Sequence, residues 1–109
     1  MENYIQVITT VDDKEDAQRL ARAIVEKRLA ACVQIIGPVS SVYWWEDNIV
    51  EEPEHICLIK SRDNLYPELE QLIMEEHSYE IPEILVVPVL KGSDGYFSWM
   101  EKELKEGAS

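Results

Sequence analysis

The chain has 109 residues, of which 46% are hydrophobic, and it carries three Trp and five Tyr beside only four Gly. This length suits one compact domain, so we expect residues 1–109 to form a single folding unit. Twenty-two Asp and Glu against ten Lys and Arg give a formal net charge of −12. This charge repels the phosphate backbone that supplies most nucleic-acid affinity, so we expect no nucleic-acid partner.

The sequence shows no pattern for export or membrane insertion. Its opening residues, MENYIQVITT, lack a basic region followed by a long apolar segment. No later run approaches the roughly 18 apolar residues that a membrane span needs. We therefore expect a cytoplasmic protein without a membrane partner.

The first third of the chain predicts a strand followed by a helix. Residues 4–11 are rich in β-formers, and residues 12–15 (DDKE) resemble a capping box at a helix start. Apolar residues then recur at helical spacing over residues 17–25. Lys27 and Arg28 are expected in the last turn, where cations suit the helix dipole.

The middle of the chain predicts a long β-hairpin. Residues 32–47 are rich in Val, Ile, Tyr and Trp, and a Gly-Pro pair at 37–38 should bulge or bend this strand. A turn is expected at residues 47–48, followed by a returning strand over residues 49–61. The short connection implies antiparallel pairing.

The last part of the chain predicts a helix, a strand and a short helix. Asn64 is a candidate cap for the second helix, which tolerates Pro67 in its first turn and ends near His77. A strand follows over residues 84–90. Beyond a polar, glycine-containing turn, residues 96–104 have the pattern of a short amphipathic helix.

This order of elements predicts an α+β, ferredoxin-like βαββαβ sandwich with a long β2–β3 hairpin and a short C-terminal helix. In that fold the first and third strands are central. Pro38 and Pro88 then fall in edge strands, where the missing ladder donor is tolerated. Open edges, and adjacent Trp44 and Trp45 on opposite strand faces, indicate a closed homo-oligomer.

Several segments together resemble the CutA family of divalent-cation tolerance proteins across essentially the whole chain. They are KRLAACVQI at 27–35, SVYWWEDNIVEEPE at 41–54, LIKS at 58–61, HSYEIPEILVVPV at 77–89 and YFSW at 96–99. The resemblance implies a ferredoxin-like subunit in a tight homotrimer, with hairpins reaching neighbouring subunits and clefts where subunits meet. It also implies a role in tolerance to divalent metal ions.

The chain departs from the family pattern at specific positions. Asp47 stands where a glycine is usual in the hairpin turn, and Ser78 replaces a common proline; both changes are structurally tolerable. Members credited with copper binding use a first-strand cysteine and two adjacent histidines. Those positions resemble Thr9, Glu76 and His77 here, so two of the three ligands are missing.

A candidate metal site lies at the end of the second helix. Glu75 and Glu76 oppose the helix macrodipole there, and a nearby cation relieves that conflict. His77 and Glu76 are the candidate ligands, with Glu80 and Glu83 as further oxygen donors. Cu(II) or another divalent cation is the metal such donors would take, although no cofactor is required. The alternative for His77 is a structural hydrogen bond.

A second constellation follows from the resemblance and would lie in a cleft between subunits. Lys60 follows Ile56 and Leu58 at period two on a largely apolar face, so it needs a partner such as Glu54 or an anionic ligand. A structural ion pair explains it equally well. The candidate cleft residues are Trp45, Glu54, Lys60, Tyr79, Glu83 and Cys32.

The sequence does not favour catalysis. Cys32 and Cys57 lie in apolar stretches without a zinc-site spacing, which predicts buried free thiols. A nucleophilic mechanism would need one of them beside His77 or His55, and no nucleophile elbow or cofactor fingerprint is present. We expect a non-catalytic homotrimer that binds copper or related divalent ions. The alternative is a metal-independent trimeric scaffold or a small-ligand sensor that uses the intersubunit cleft.

Overall fold

The computed structural model describes residues 3–107. Its elements, in chain order, are β1 (Tyr4–Val11), α1 (Lys14–Glu26), β2 (Cys32–Trp45), β3 (Asn48–Arg62), a 3₁₀ turn (Asp63–Leu65), α2 (Tyr66–Glu76), β4 (Ile84–Pro88) and α3 (Asp94–Glu103).

The four strands form one antiparallel sheet in the order β2-β3-β1-β4. The first and third strands are therefore central, which confirms the predicted ferredoxin-like α+β arrangement. Pro38 lies in β2 and Pro88 in β4, and both of these strands are at the edges of the sheet. The N–H groups missing at Pro38 and Pro88 thus weaken no central ladder. Pro53 belongs to β3 but lies in its hairpin part, outside the segment that pairs with β1.

The hydrophobic core lies between one face of the sheet and helices α1 and α2. Residues 4–9 of β1 alternate between half-buried and buried, and Val7 is completely buried. Leu20 and Ile24 of α1, together with Leu69 and Ile73 of α2, are at most 1% exposed. Burying each such side chain stabilises the fold by roughly 1.5–3 kcal/mol. Because the helical and strand periodicities place these side chains on one face of each element, those apolar faces pack together.

The opposite face of the sheet is apolar but only partly covered. Ile8 is paired with Leu58 on one side and with Leu85 on the other. Leu85 is 57% exposed, and Ile36 and Val87 are also exposed. A contiguous apolar sheet face of this kind is typical of an interaction surface.

Helix α1 begins as the sequence predicts and ends slightly earlier. The carboxylate of Asp13 accepts a hydrogen bond of 2.8 Å from the amide of Asp16, which is an N-cap. At the other end, Arg28 has φ of 58°, and the amide of Leu29 donates to the carbonyl of Ile24 at 3.2 Å. This Schellman-type ending places Lys27 and Arg28 after the helix instead of in its last turn.

The hairpin has the predicted bulge and a turn displaced by one residue. The β2–β3 register shifts between Ile36 and Val39, around the Gly-Pro pair. Glu46 and Asp47 form the two-residue turn, with φ values of 48° and 65°. Two successive positive φ values define the turn geometry that matches the strand twist, which explains why the turn lies at 46–47 and not at 47–48.

The second helix starts after a short 3₁₀ turn, so the prediction that Asn64 caps it is wrong. Leu65 precedes the helix and forms no side-chain cap, while Pro67 lies in the first turn as expected. The helix ends at Glu76, with His77 following it. The last strand is shorter than predicted and ends at Pro88.

The predicted C-terminal helix is confirmed as α3. Side-chain contacts join α3 to β1 and β3. The rings of Tyr4 and Phe97 stack with centroids 4.3 Å apart. The buried Arg62 guanidinium donates hydrogen bonds to the carboxylate of Glu101 and to the carbonyl oxygen of Lys105. These contacts hold the end of the chain against the sheet.

Candidate functional site

A cavity of about 790 Å³ opens between the β2–β3 hairpin and the loop that joins α2 to β4. This volume is within the range of small-molecule sites. We call it the acidic cleft. It is lined by Thr10, Asp12, Ser41, Val42, Tyr43, Trp45, Glu52, Glu54, Tyr79, Glu80, Ile81 and Glu83.

The hairpin supplies one wall of the acidic cleft through strand alternation. Ser41 of β2 pairs with Glu52 of β3. Because side chains alternate along a strand, Tyr43 and Trp45 share the face of Ser41, and Glu54 shares that of Glu52. Aromatic and carboxylate side chains therefore meet on one face of the hairpin.

The two adjacent indoles are separated as the sequence predicts. Trp45 lines the acidic cleft and is 44% exposed. Trp44 belongs to the opposite face of the hairpin, where it pairs with Ile49, and it is 72% exposed. Only Trp45 can report directly on the contents of the cleft.

The central contact of the acidic cleft joins Tyr79 to Glu54. The Tyr79 hydroxyl donates a hydrogen bond of 2.9 Å to Oε2 of Glu54, which is 8% exposed. Burial, then the hydrogen bond to Glu54 and its negative charge, raises the pKa of Tyr79 well above the usual value. The hydroxyl thus remains a donor throughout the neutral and mildly alkaline range.

The electrostatic character of the cleft is strongly negative. Its carboxylate residues are Asp12, Glu52, Glu54, Glu80 and Glu83, and no Lys, Arg or His is among the lining residues within 3–107. Partial desolvation, followed by the charges of Glu52, Glu54 and Asp12, raises the pKa of Tyr43. The cleft therefore disfavours anions and favours cations.

His77 shapes the cleft through its hydrogen bonds. Its Nε2 lies 2.7 Å from the carbonyl oxygen of Thr10, and its Nδ1 accepts from the amide of Tyr79 at 3.0 Å. A carbonyl can only accept and an amide can only donate, so the ring is the neutral tautomer with its proton on Nε2. Neither nitrogen has a lone pair left for a metal in this geometry.

Glu76 is likewise engaged in a different contact. Its Oε2 accepts from Nη1 of Arg19 at 2.8 Å, and its carbonyl oxygen accepts from Nη2 at 3.3 Å. Arg19 thus supplies the positive charge that the C-terminus of α2 needs. Within residues 3–107 no group of three or more His, Cys, Asp or Glu side chains is placed to hold a metal ion. The side-chain geometry does not support the predicted pairing of His77 with Glu76 at a metal.

The position of Thr9 is equally unsuited to ligation. The family resemblance implies that Thr9 stands at the first of the three copper-ligand positions. Its side chain is completely buried, and Oγ1 has no hydrogen-bond partner among the described residues. Of the three expected ligand positions, Thr9 therefore lies in the core, and Glu76 and His77 form hydrogen bonds to other protein groups.

The predicted cleft residues divide into two groups. The structure brings Trp45, Glu54, Tyr79 and Glu83 together in the acidic cleft. Lys60 and Cys32 lie elsewhere.

Lys60 is the most informative of the separated residues. Its Nζ donates to Oε1 of Gln6, and β2 pairs Cys32 with it. Lys60 is six residues from Glu54 along β3, which separates their Cα atoms by about 20 Å. Within one chain the partner of Lys60 is therefore Gln6 and not Glu54, while an ion pair or an anionic ligand between subunits stays a prediction.

The sequence analysis missed several members of the cleft, among them Tyr43, Glu52 and Asp12. Tyr43 and Glu52 lie two residues from predicted members, so strand alternation alone could have indicated them. Asp12 was assigned only to a capping pattern, although β1 ends beside the cleft. No local pattern distinguishes that second role.

The two thiols do not form a catalytic arrangement. Cys57 is completely buried, and burial raises its pKa to about 11. Cys32 is half-buried, and both cysteines are free. No hydrogen bond joins a cysteine to a histidine in the described part of the chain. A thiolate activated by a neighbouring imidazole is therefore not assembled.

The sheet order, its helices and the acidic cleft define a ferredoxin-like α+β protein with a cation-favouring surface. A protein family described as "CutA1 divalent ion tolerance protein" matches residues 5–103. The chain belongs to this family, which confirms the resemblance seen in its sequence. The family is described by ion tolerance and not by an enzymatic reaction.

Individual relatives agree with this assignment. The chain is 36% identical over 96 residues to "Divalent-cation tolerance protein CutA" of Thermus thermophilus, covering 88% of this chain and 93% of the relative. It is 36% identical over 102 residues to "Protein CutA 1, chloroplastic" of Oryza sativa, covering 94% of this chain. The chain spans 58% of the rice relative and 56% of an Arabidopsis thaliana relative.

Solved structures show the same fold. The crystal structure of CutA1 from Oryza sativa has a TM-score of 0.94 at 35% identity, with 96% of each chain covered. The Thermus thermophilus protein gives 0.89 at 35% identity, covering 96% of this chain and 100% of the other.

The relatives are assigned to different compartments. Those of rice and Arabidopsis are described as chloroplastic, and the Archaeoglobus fulgidus structure as periplasmic. None of the helices in the described part of the chain has the length and apolar character needed to cross a bilayer.

Proposed function

We propose that this protein acts in tolerance to divalent metal ions as a non-catalytic homotrimer, and that copper or related divalent ions associate with the acidic cleft. The observation that carries the proposal is that five carboxylate residues line a cavity which has no cationic lining residue among residues 3–107. Since no three ligand side chains converge within residues 3–107, water would complete the coordination and binding would be weak.

Calorimetric titration with Cu(II), Zn(II) and Ni(II) tests the metal proposal. We expect Glu83→Gln to reduce the binding heats, because it removes one charge from the cleft. Glu51→Gln is the matched control, because it removes the same charge from an exposed position of β3 outside the cleft lining, and it should leave the heats of Cu(II) close to those of the wild type. Equal loss of Cu(II) binding in Glu51→Gln and Glu83→Gln would contradict the placement of metal at the cleft.

The uncovered sheet face and hairpin support the homotrimer. Leu85 and Ile36 are exposed on the face opposite the helices. Trp44 and Ile49 are 72% and 65% exposed at the hairpin tip. Further copies would bury these surfaces and cover the edge strands.

Analytical ultracentrifugation tests this assembly at micromolar concentration. The wild type should sediment as a trimer, and Leu85→Glu should dissociate it because a buried unpaired charge is costly. Val25→Glu, at an exposed position of α1 on the other side of the sheet, is the control and should remain trimeric. A stable wild-type monomer would contradict the proposed assembly.

A small-ligand sensor is the second candidate function, and the size and aromatic lining of the acidic cleft favour it. Trp45 would change its fluorescence when the cleft is filled. In a screen of small molecules we expect the Trp45→Phe variant to lose a response that the Trp44→Phe variant keeps. An unchanged response in Trp45→Phe would remove the cleft as the sensing site.

A cytoplasmic location and the absence of catalysis also belong to this proposal. The inert state of Cys57 supports the second point, since its raised pKa keeps the thiol protonated near neutral pH. Immunolocalisation in the source cell tests the first point. Recovery of the protein in a membrane-bounded compartment would overturn it.

A further inference from the structure

The acidic cleft contains a buried charge that the chain itself does not neutralise. Glu54 is more than nine-tenths buried and lines the cavity. Within residues 3–107 its carboxylate receives one side-chain hydrogen bond, from the neutral Tyr79 hydroxyl, and no ion pair. A buried carboxylate held by one neutral donor is incompletely compensated, so a cation in the cavity would stabilise it.

The walls of the cleft favour one kind of cation. Tyr43, Trp45 and Tyr79 place three aromatic side chains around the same cavity. Aromatic faces attract ammonium and guanidinium groups, and they also bury the apolar part of a ligand. A bare metal ion gains little from such walls, and no three-ligand group is present in the described chain.

We propose that the acidic cleft binds a small organic cation, an alkylammonium or guanidinium group carried on an apolar body. Glu54 is its charge partner, and Trp45 provides the aromatic contact. This inference rests on the small-ligand sensor function proposed above and adds the chemical class of the ligand.

The cleft can distinguish such a cation from analogues of the same shape. A neutral analogue would leave Glu54 without a counter-charge, and an anionic analogue would face the charges of Glu52 and Glu83 as well. Charge, and not only size, should therefore control the affinity. The ammonium compound alone should also bind more weakly as the salt concentration rises.

The test compares 2-phenylethylammonium, 2-phenylethanol and phenylacetate, which share one carbon skeleton. Binding to the full chain in its native assembly is measured by Trp fluorescence and by calorimetry. We expect the ammonium compound to bind at least 10-fold more tightly than the alcohol, with no measurable binding of phenylacetate. Glu54→Gln should reduce the ammonium affinity about 10-fold or more and remove the preference over the alcohol.

Matched variants keep this test decisive. Glu51→Gln removes the same charge from a neighbouring position of β3 that does not line the cleft, and it should retain wild-type affinity. If Glu54→Gln fails to fold, Trp45→Leu provides the second variant, because Trp45 is partly exposed. It should lower the ammonium affinity measured by calorimetry by several-fold.

The possible results distinguish failure of the organic-cation inference from failure of the small-ligand sensor function. Equal binding of the ammonium, alcohol and carboxylate compounds would overturn the organic-cation inference and leave a sensor of another ligand class. An unchanged ammonium affinity in Glu54→Gln would also overturn it. If neither this series nor the broader screen gives any binding, both the inference and the sensor function fail. The cavity would then belong to the packing between copies.

Discussion

The Tyr79 hydroxyl donates a 2.9 Å hydrogen bond to the carboxylate of Glu54, across 25 residues of sequence. This contact connects the α2–β4 loop to the middle of the hairpin strand β3. The backbone amide of Tyr79 also donates a hydrogen bond to the ring of His77, and that ring in turn forms a hydrogen bond with Thr10 of β1. The shape of the acidic cleft therefore depends on a short series of contacts between segments that are remote in sequence.

Removing the hydroxyl of Tyr79 should destabilise the protein. In Tyr79→Phe the buried carboxylate of Glu54 loses its donor, and we expect the free energy of unfolding to fall by about 1–3 kcal/mol. Urea denaturation at equal protein concentration measures this. Tyr96→Phe is the matched control, because the Tyr96 hydroxyl forms no hydrogen bond in the described chain, and it should change stability by less than about 0.5 kcal/mol. Equal losses in both variants would contradict the role of the hydroxyl.

Replacing the imidazole of His77 should loosen the loop locally. His77→Ala removes both ring hydrogen bonds, so the Tyr79 amide should exchange with solvent deuterium at least ~10-fold faster, since each bond contributes about 1 kcal/mol. The Leu104 amide, which donates to the Met100 carbonyl at 2.9 Å, provides an internal control and should keep its rate. Unchanged exchange at Tyr79 would show that His77 does not hold the loop.

Two glycines should respond in opposite directions to the same substitution. A Cβ at Gly37 would lie 2.6 Å from Cδ2 of His55 and 3.1 Å from the carbonyl oxygen of Glu54, so Gly37→Ala should destabilise by about 1–3 kcal/mol. A Cβ at Gly95 of α3 meets nothing within 4 Å. Gly95→Ala should therefore stabilise by up to ~1 kcal/mol. Thermal denaturation of both variants checks the signs, and a stabilised Gly37→Ala would contradict the tight bulge.

The thiols should differ strongly in reactivity. Burial raises the pKa of Cys57 to about 11, so only about one thiol in a thousand is ionised at pH 8. Iodoacetamide labelling followed by mass spectrometry should modify half-buried Cys32 before Cys57 in the native protein. Rapid native labelling of Cys57 would contradict its enclosure.

Ionisation of Cys57 should also make the stability of the fold decrease at alkaline pH. Its folded pKa of about 11 exceeds the usual value of 9.0, so folding favours the protonated thiol. The contribution of the protonated Cys57 thiol to the free energy of unfolding is complete below pH 9 and is lost as the pH rises towards 11. Relative to Cys57→Ala, the wild type should therefore lose stability more steeply over that interval. Parallel alkaline denaturation curves would contradict this linkage.

Secondary structure and pairing were largely predictable from local pattern. Alternating apolar residues in β1, the cap at Asp13 and the bulge at the Gly-Pro pair all follow from short-range chemistry. The prolines of β2 and β4 also indicated which strands would be edges. The hairpin turn and the start of α2 differ from their predicted positions. Glu46, Asp47 and the 3₁₀ segment follow backbone geometry that residue composition does not specify.

Residue types and their spacing were sufficient to predict the fold class, the strand order, the opposite faces of the two adjacent Trp residues and the family resemblance. Each depends on residue type or on spacing within one segment. Three-dimensional packing was needed to show that His77 supports a loop, that Glu76 binds Arg19, and that Lys60 contacts Gln6 instead of Glu54. Such partners come from segments distant in sequence. Since a hydrogen bond needs atoms within about 3 Å, no pattern along one segment can specify it.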